Sequence, residues 1–284
     1  MSRRREYARR LEALGEIAGI MSAMKALATM EIRRLRDDLS CEQRQLASLE
    51  ECARAFLAAH PDLAELPPDG GDLCVLLGSE QGFCGDYNEA LRAWLRHPPE
   101  GRAVPEHRIV LGQRLAARLD GNQAPLAVLP GASVSDELPG VLQRLSAFLL
   151  EWLEVRPGAE VSILYHSEAN GGICLRQLLP MRDVGHNRPK RPAAYPAELQ
   201  LAPVEFFSAL SMHYLYAALN GVLHSGLMAE NRQRLAHMES ALRKLEDDQA
   251  RLQLVHNAQR QEEITEEIEI IQLSAGMIVE ETLS

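Results

Sequence analysis

Cys84 stands between Gly82 and Gly85 in the stretch Gly78-Ser79-Glu80-Gln81-Gly82-Phe83-Cys84-Gly85. Two chemistries fit those residue types. Glycines let backbone N–H groups approach a phosphate, and a thiolate near a helix start is a nucleophile. The details oppose both. The loop lacks a Gly-Lys-Ser/Thr ending and any G-x-G-x-x-G run, and the acidic Glu80 sits inside it. Cys84 has no histidine close to it in sequence. A tight turn with a small buried thiol is the favoured expectation, and an enzyme site at Ser79–Gly85 is the competing one.

The remaining ionisable residues lack the spacing of a metal centre. Nine histidines occur with no HExxH pattern, and five cysteines (41, 52, 74, 84 and 174) with no CxxC pair. Free thiols in a reducing compartment are expected, without zinc, any other metal or a cofactor. A net charge of -10 argues against general nucleic-acid binding.

Near the C-terminus the string Asn257 to Ile268 carries a different chemistry. Arg260, Gln261, Thr265 and Glu267 bear hydrogen-bonding groups along a helical pattern, beside Ile264 and Ile268. An ordinary solvated helix would look similar. A docking surface for another protein is the functional reading.

The elements that position these residues follow from proline. All 15 prolines lie between Pro61 and Pro203. One proline inside a helix costs about 3 kcal/mol, so the two proline-free ends are read as long helices. Apolar residues recur there at steps of three and four: Leu11, Leu14, Ile17, Ile20 or Met21, Met24, Leu27, Met30 or Glu31, then Leu35 and Leu39. The last segment repeats the pattern from Leu219 to Leu252, with Ile264, Ile268, Ile271 and Met277 or Ile278 beyond. Such a stripe needs a partner, and the other end of the same chain is the nearest candidate. Residues 1–10 sum to +4 and residues 261–284 to -7, which suits ends that lie together. No uninterrupted apolar run reaches the roughly 18 residues of a bilayer span.

Between the ends, strands are expected at 73–77, 108–111, 125–129, 160–165 and 173–179, and helices at 88–95, near 114–119 and at 136–153. Asn170-Gly171-Gly172 reads as a hairpin turn, and residues 181–203 as a returning loop. This alternation predicts a mostly parallel sheet with an antiparallel end. The expected fold class is α/β with long helices, in three segments. Residues 1–59 form an N-terminal coiled-coil helix, 60–203 an inserted Rossmann-like α/β domain, and 204–284 a C-terminal helix. The two helices pair as an antiparallel coiled coil, and the longer one projects past its partner.

Asn257, Arg260, Gln261, Ile264, Thr265 and Glu267 resemble the C-terminal signature N-x-x-R-Q-x-x-I-T-x-E of the γ subunit of F-type ATP synthases. Three further segments resemble that family in the same order: Ile20–Ala28, Ser79–Asn88, and Ala229-Glu230 through Arg234 to Met238. The resemblance implies a central rotor stalk without catalytic residues. Its expected partners are the α and β subunits, the ε subunit and the membrane c-ring. It also implies a peripheral place on the cytoplasmic face of a bacterial inner membrane. By matching position, Met24, Lys25, Arg260, Gln261, Thr265 and Glu267 would contact β-subunit loops, and Gly82, Cys84 and Gly85 would form the domain loop. The chain departs from the family at Glu16–Gly19, at Arg243–Asp247, and at Phe83 and Glu80-Gln81. A coiled-coil adaptor that shares only the layout is the remaining alternative.

Overall fold

In the computed structural model, residues 3–63, 70–119, 121–167, 171–181 and 199–282 are described. In chain order the elements are α1 (Arg3–Ala59), β1 (Asp72–Leu77), α2 (Tyr87–Arg96), β2 (His107–Leu111), α3 (Gln113–Ala116), β3 (Ala127–Leu129), α4 (Leu138–Val155), β4 (Glu160–Ser167), β5 (Gly172–Leu179) and α5 (Pro203–Thr282). The proline-free ends are single helices of 57 and 80 residues. Asn170 and most of the expected loop, 182–198, lie outside the described residues.

Packing divides the chain into two units, one formed by 1–27 with 236–284 and the other by 28–235. The second unit holds the sheet, in the order β3-β2-β1-β4-β5. Pairs β1–β2, β1–β4 and β2–β3 are parallel, and β4–β5 is antiparallel. The strand–helix alternation of the sequence predicts this arrangement. Strand β1 lies at the centre, so both its faces are covered and its sequence reads as the continuous apolar run Leu73–Leu77.

The alternation along β1 supplies two cores. Leu73, Val75 and Leu77 face one cluster with Leu142, Leu145 and Leu149 of α4, Leu219 and Leu223 of α5, and Leu35 and Phe56 of α1. Cys74 and Leu76 face the other, with Tyr87, Leu91 and Leu95 of α2 and Leu115 of α3. Each fully buried leucine contributes roughly 1.5–3 kcal/mol. Helix α5 crosses close to the end of β1 because Gly226 has no side chain. A Cβ there would lie 2.3 Å from Leu77 Cδ2.

In this second unit α1 and α5 meet at paired positions. Phe56 contacts Phe206 with ring centroids 4.9 Å apart. Asn220 Nδ2 donates to Glu42 Oε1 at 2.8 Å, and His224 Nδ1 lies 3.1 Å from Glu42 Oε2. Burial of Glu42 raises its pKa.

In the first unit, Lys25 Nζ lies 3.0 Å from Glu239 Oε1, and the Cβ position of Gly15 is 3.9 Å from Gln249 Nε2. The inward positions of α1 include Tyr7, Leu11, Leu14, Ala18, Met21 and Lys25, and those of α5 include Met238, Leu242, Leu245, Gln249, Leu252, His256, Gln259 and Glu263, with Met24, Glu239 and Ala241 half-buried beside them. Both sets alternate steps of four and three without interruption, a period of about 3.5 residues.

This corrects the seam expected from hydropathy. Ile17 and Leu27 point outward, as do Ile264, Ile268 and Ile271; of the paired alternatives, Met21 and Glu31 lie inward while Ile20 and Met30 are exposed. Small Ala18 and polar Gln249, His256 and Gln259 take inward places instead. Helix α1 carries apolar residues on two faces, so hydropathy alone could not separate the seam from the outward stripe. The side chains of Met277 and Ile278 are not among those described.

The outward stripe also raises the hydropathy of α1. One 18-residue stretch of α1 reaches a mean hydropathy of 1.2, enough by length and composition for a membrane span, with 11% of it buried. Charged residues interrupt the stretch, so it holds no continuous apolar run of that length.

Candidate functional site

The glycine-rich loop leaves β1 at Gly78, whose N–H donates to Leu111 O at 2.8 Å. Every polar group at its base is engaged. Ser79 N–H donates to Asn88 Oδ1 at 3.0 Å, and Asn88 Nδ2 donates to Ser79 Oγ at 2.8 Å. The Cys84 thiol is buried and donates to Ser79 Oγ at 3.3 Å. Gly85 adopts φ +61°, a conformation open to glycine at little cost. Phe83 adopts φ +62° without that freedom, and its ring is 58% exposed. The backbone on either side therefore holds an aromatic side chain out to solvent in a strained conformation.

Glu80 occupies the position where a cradled anion would sit. Its Oε2 accepts the Gln113 N–H at 3.1 Å and the Gly131 N–H at 2.8 Å. The donors that a phosphate would need are thus directed at the protein's own carboxylate. Gln81 Nε2 donates to Ser133 Oγ at 3.2 Å. These bonds join the loop to the segments around Gln113, Gly131 and Ser133.

Two motifs far apart in sequence meet here. Arg234 of α5 donates from Nε to Gly82 O at 3.4 Å and from Nη1 to Asn231 Oδ1 at 2.9 Å. Its Nη2 pairs with Glu230, which is 3% exposed. Burial raises the Glu230 pKa to about 7, against the lowering effect of Arg234, and nearby Glu80 adds to the rise. Tyr87 donates its hydroxyl to Gly226 O at 3.3 Å and stacks on His166 at 4.0 Å. Burial raises the Tyr87 pKa and lowers that of His166.

The sequence reading did not single out Glu230, Arg234 and Glu31 for what they bond. Glu31 is a buried carboxylate on α1 whose Oε2 accepts the Ser135 N–H at 2.9 Å. Its signal was a charged residue sharing a step of the apolar stripe with Met30.

The C-terminal string lies on α5 in the first unit. Arg260, Gln261, Thr265 and Glu267 are all exposed, and Thr265 Oγ1 donates to Gln261 O at 2.9 Å. At 3.6 residues per turn, Arg260, Ile264, Glu267 and Ile271 share one face. From Ile264 to Ile271 every side chain is exposed. Charged and hydrogen-bonding groups thus alternate with exposed isoleucines on one surface. Met24 is half-buried. Lys25 is half-exposed and committed to Glu239, a pair worth no more than about 1 kcal/mol at this exposure.

One trio of potential metal-ligand atoms occurs among the described residues, at Asp72, Glu106 and His107, all within 4.8 Å of one another. The Asp72 carboxylate there already caps the Glu106 N–H at 3.1 Å, and His107 Nδ1 lies 3.1 Å from Asp72 O.

Comparison with known proteins covers nearly the whole chain. The sequence model of a family described as ATP synthase matches residues 3–276. The ATP synthase gamma chain of Clostridium perfringens is 23% identical over 271 residues, spanning 93% of this chain and 94% of that one. That of Methylacidiphilum infernorum is 25% identical over 286 residues, spanning 94% and 96%. Among solved structures, a chain from the Euglena gracilis mitochondrial ATP synthase assembly of OSCP, F1 and c-ring is similar with a TM-score of 0.64. Its identity is 16%, with 96% of this chain and 94% of that chain covered. A chain from the central stalk and c-ring of the Tetrahymena thermophila mitochondrial enzyme gives 0.53 at 16% identity, covering 78% and 99%.

Proposed function

The chain belongs to the ATP synthase family as a gamma chain, and on that premise we propose how it works. It is the central rotor-stalk subunit of an F-type ATP synthase. It transmits torque between the ion-driven membrane ring and the catalytic α/β hexamer, and so couples ion translocation to ATP synthesis or hydrolysis. The observation that carries this reading is the match over residues 3–276, which takes in both long helices and the whole sheet.

The two helices form an antiparallel coiled coil over segments 1–59 and 204–284, with 60–203 as the inserted domain. Within the first unit, position 15 lies by residue 249 and position 25 pairs with residue 239, so one number rises as the other falls. The unbroken four-three alternation of inward positions supports the same geometry. The chain performs no catalysis itself. The engaged groups of the Ser79–Gly85 loop favour a mechanical role for it, with Gly82, Cys84 and Gly85 as the tie between loop and helix.

Met24, Lys25, Arg260, Gln261, Thr265 and Glu267 contact loops of the β subunits, and the exposed Ile264 and Ile268 give that surface apolar anchors. Outward Ile17, Ile20 and Leu27 would likewise be covered by the α/β hexamer. An exposed stripe of this kind marks an interaction surface. The c-ring and the ε subunit complete the set of partners, and the complex holds this chain peripherally at the cytoplasmic face of a bacterial inner membrane.

The test is assembly. Co-expression with ATP synthase α and β subunits should yield a complex whose ATPase activity depends on this chain; failure to assemble would sink the reading. Truncation after Asn257 should leave assembly intact and weaken coupling, and unchanged coupled turnover would remove the contact residues from the proposal.

A further inference from the structure

Glu31 on α1 and Arg234 on α5 stand near the sequence limits of the second unit, residues 28 and 235. A chain of polar contacts inside that unit joins them without either touching the other. Glu31 Oε2 accepts the Ser135 N–H at 2.9 Å. Four residues back along the backbone, the Gly131 N–H donates to Glu80 Oε2 at 2.8 Å, and between them Ser133 Oγ accepts from Gln81 Nε2 at 3.2 Å. Two residues beyond Glu80, Gly82 O accepts from Arg234 Nε at 3.4 Å. Arg234 is held in turn by buried Glu230 and Asn231.

The contacts are of an unusual kind. Two carboxylates from different elements each take backbone N–H groups of the single segment 131–135, which connects β3 to α4. Charge-assisted bonds to backbone donors are shorter and stronger than neutral ones, and they fix main chain rather than a mobile side chain. Glu31 is 8% exposed, and its desolvation cost is offset by the Ser135 bond on one oxygen and by Arg34, 3.9 Å from the other. A hydrophobic residue at that position would fill the space without reaching Ser135.

We propose that Glu31, the 131–135 segment and the Glu80–Gly82 loop form a polar bracket that clamps α1 to α5 through the α/β domain. Glu31 acts as a positioning residue for torque transfer. The inference rests on the stalk reading above. Torque that reaches α1 in this unit is shared with α5 through the bracket as well as through the direct Phe56–Phe206 and Glu42–Asn220 contacts. When the bracket is cut at Glu31, catalysis by the surrounding subunits continues and α1 yields further against the 131–135 segment under load.

The experiment uses the complete membrane-bound ATP synthase reconstituted in vesicles with wild-type, Glu31→Leu or Glu31→Gln chain. ATP hydrolysis, ATP-driven ion uptake and hydrogen exchange of the Ser135 amide are measured on each. Glu31→Leu should speed Ser135 exchange and lower ion uptake per ATP by about fivefold, the shift that losing one net hydrogen bond gives a two-state equilibrium. Hydrolysis should stay within about twofold of wild type on the same reasoning. Glu31→Gln retains an acceptor oxygen and should restore both readouts. Unchanged uptake per ATP in a Glu31→Leu complex whose Ser135 amide exchanges faster would overturn the proposal, as would unchanged exchange. Where Glu31→Leu does not assemble, Glu80→Ala cuts the bracket at its middle and is judged by the same two outcomes at the Gly131 amide. A wild-type complex that hydrolyses ATP without any ion uptake would instead count against the stalk reading.

Discussion

Arg234 Nε donates to the carbonyl oxygen of Gly82, 3.4 Å away and 152 residues earlier in the chain. One guanidinium therefore joins the last helix to the loop after the first strand, while Glu230 and Asn231 fix its orientation from the same helix.

Removing that guanidinium strands a buried acid. Arg234→Leu should destabilise the full chain by about 3–5 kcal/mol, because Glu230 is left without its counter-charge. The double variant Glu230→Leu with Arg234→Leu should regain most of that loss. Urea unfolding of the three chains checks both statements.

The pH dependence of stability has a definite sign. The folded pKa of Glu230 is about 7, above the ordinary carboxylate value. Between the unfolded and folded values the native state binds more protons than the unfolded chain. Its contribution is full below the unfolded pKa and is lost as pH rises through about 7, with a slope of at most about 1.4 kcal/mol per pH unit. Glu230→Gln should flatten that slope. Urea midpoints between about pH 5 and pH 8 for both chains give the measurement.

Gly226 should tolerate no side chain. Alanine there would put Cβ 2.3 Å from Leu77 Cδ2. The Leu77 side chain must leave its place in the core or the helix must move, at about 1–3 kcal/mol, visible as a lower melting temperature. Gly221 has open space around its Cβ position. Alanine at 221 should be neutral to stabilising by up to about 1 kcal/mol, from helix propensity alone.

The polar inward residues of the first unit invite a gain. Gln259→Leu places an apolar side chain at a half-buried seam position and should raise stability by about 0.5–1 kcal/mol, discounted for partial exposure. Leu at exposed Ile264 should leave stability unchanged. Thermal unfolding of the full chain separates the two.

Local residue types carried most of the architecture. Prolines confined to 61–203 delimited the helices, and the run Leu73–Leu77 announced a strand buried on both faces. The seam was legible only in part. Ile17 and Ile20 are as apolar as Leu14 and Met21, and only packing against α5 separates them. The helical placement of Arg260 to Glu267 was legible from their spacing, and all four polar residues named there are exposed. Glu31 and Arg234 were not, because their partners are backbone atoms about 100 to 150 residues away in sequence, and no spacing rule reports such a bond.

The seam positions named in the first unit, Tyr7 to Lys25 on α1 and Met238 to Glu263 on α5, follow steps of four and three. Length variation in this protein is thereby rationed. Inserting one residue turns everything beyond it by about 100° and exposes the seam. Seven residues restore the phase. Homologous chains that differ in helix length should differ by sevens, or by matched changes in both helices, and other insertions should collect in the loops of the α/β domain.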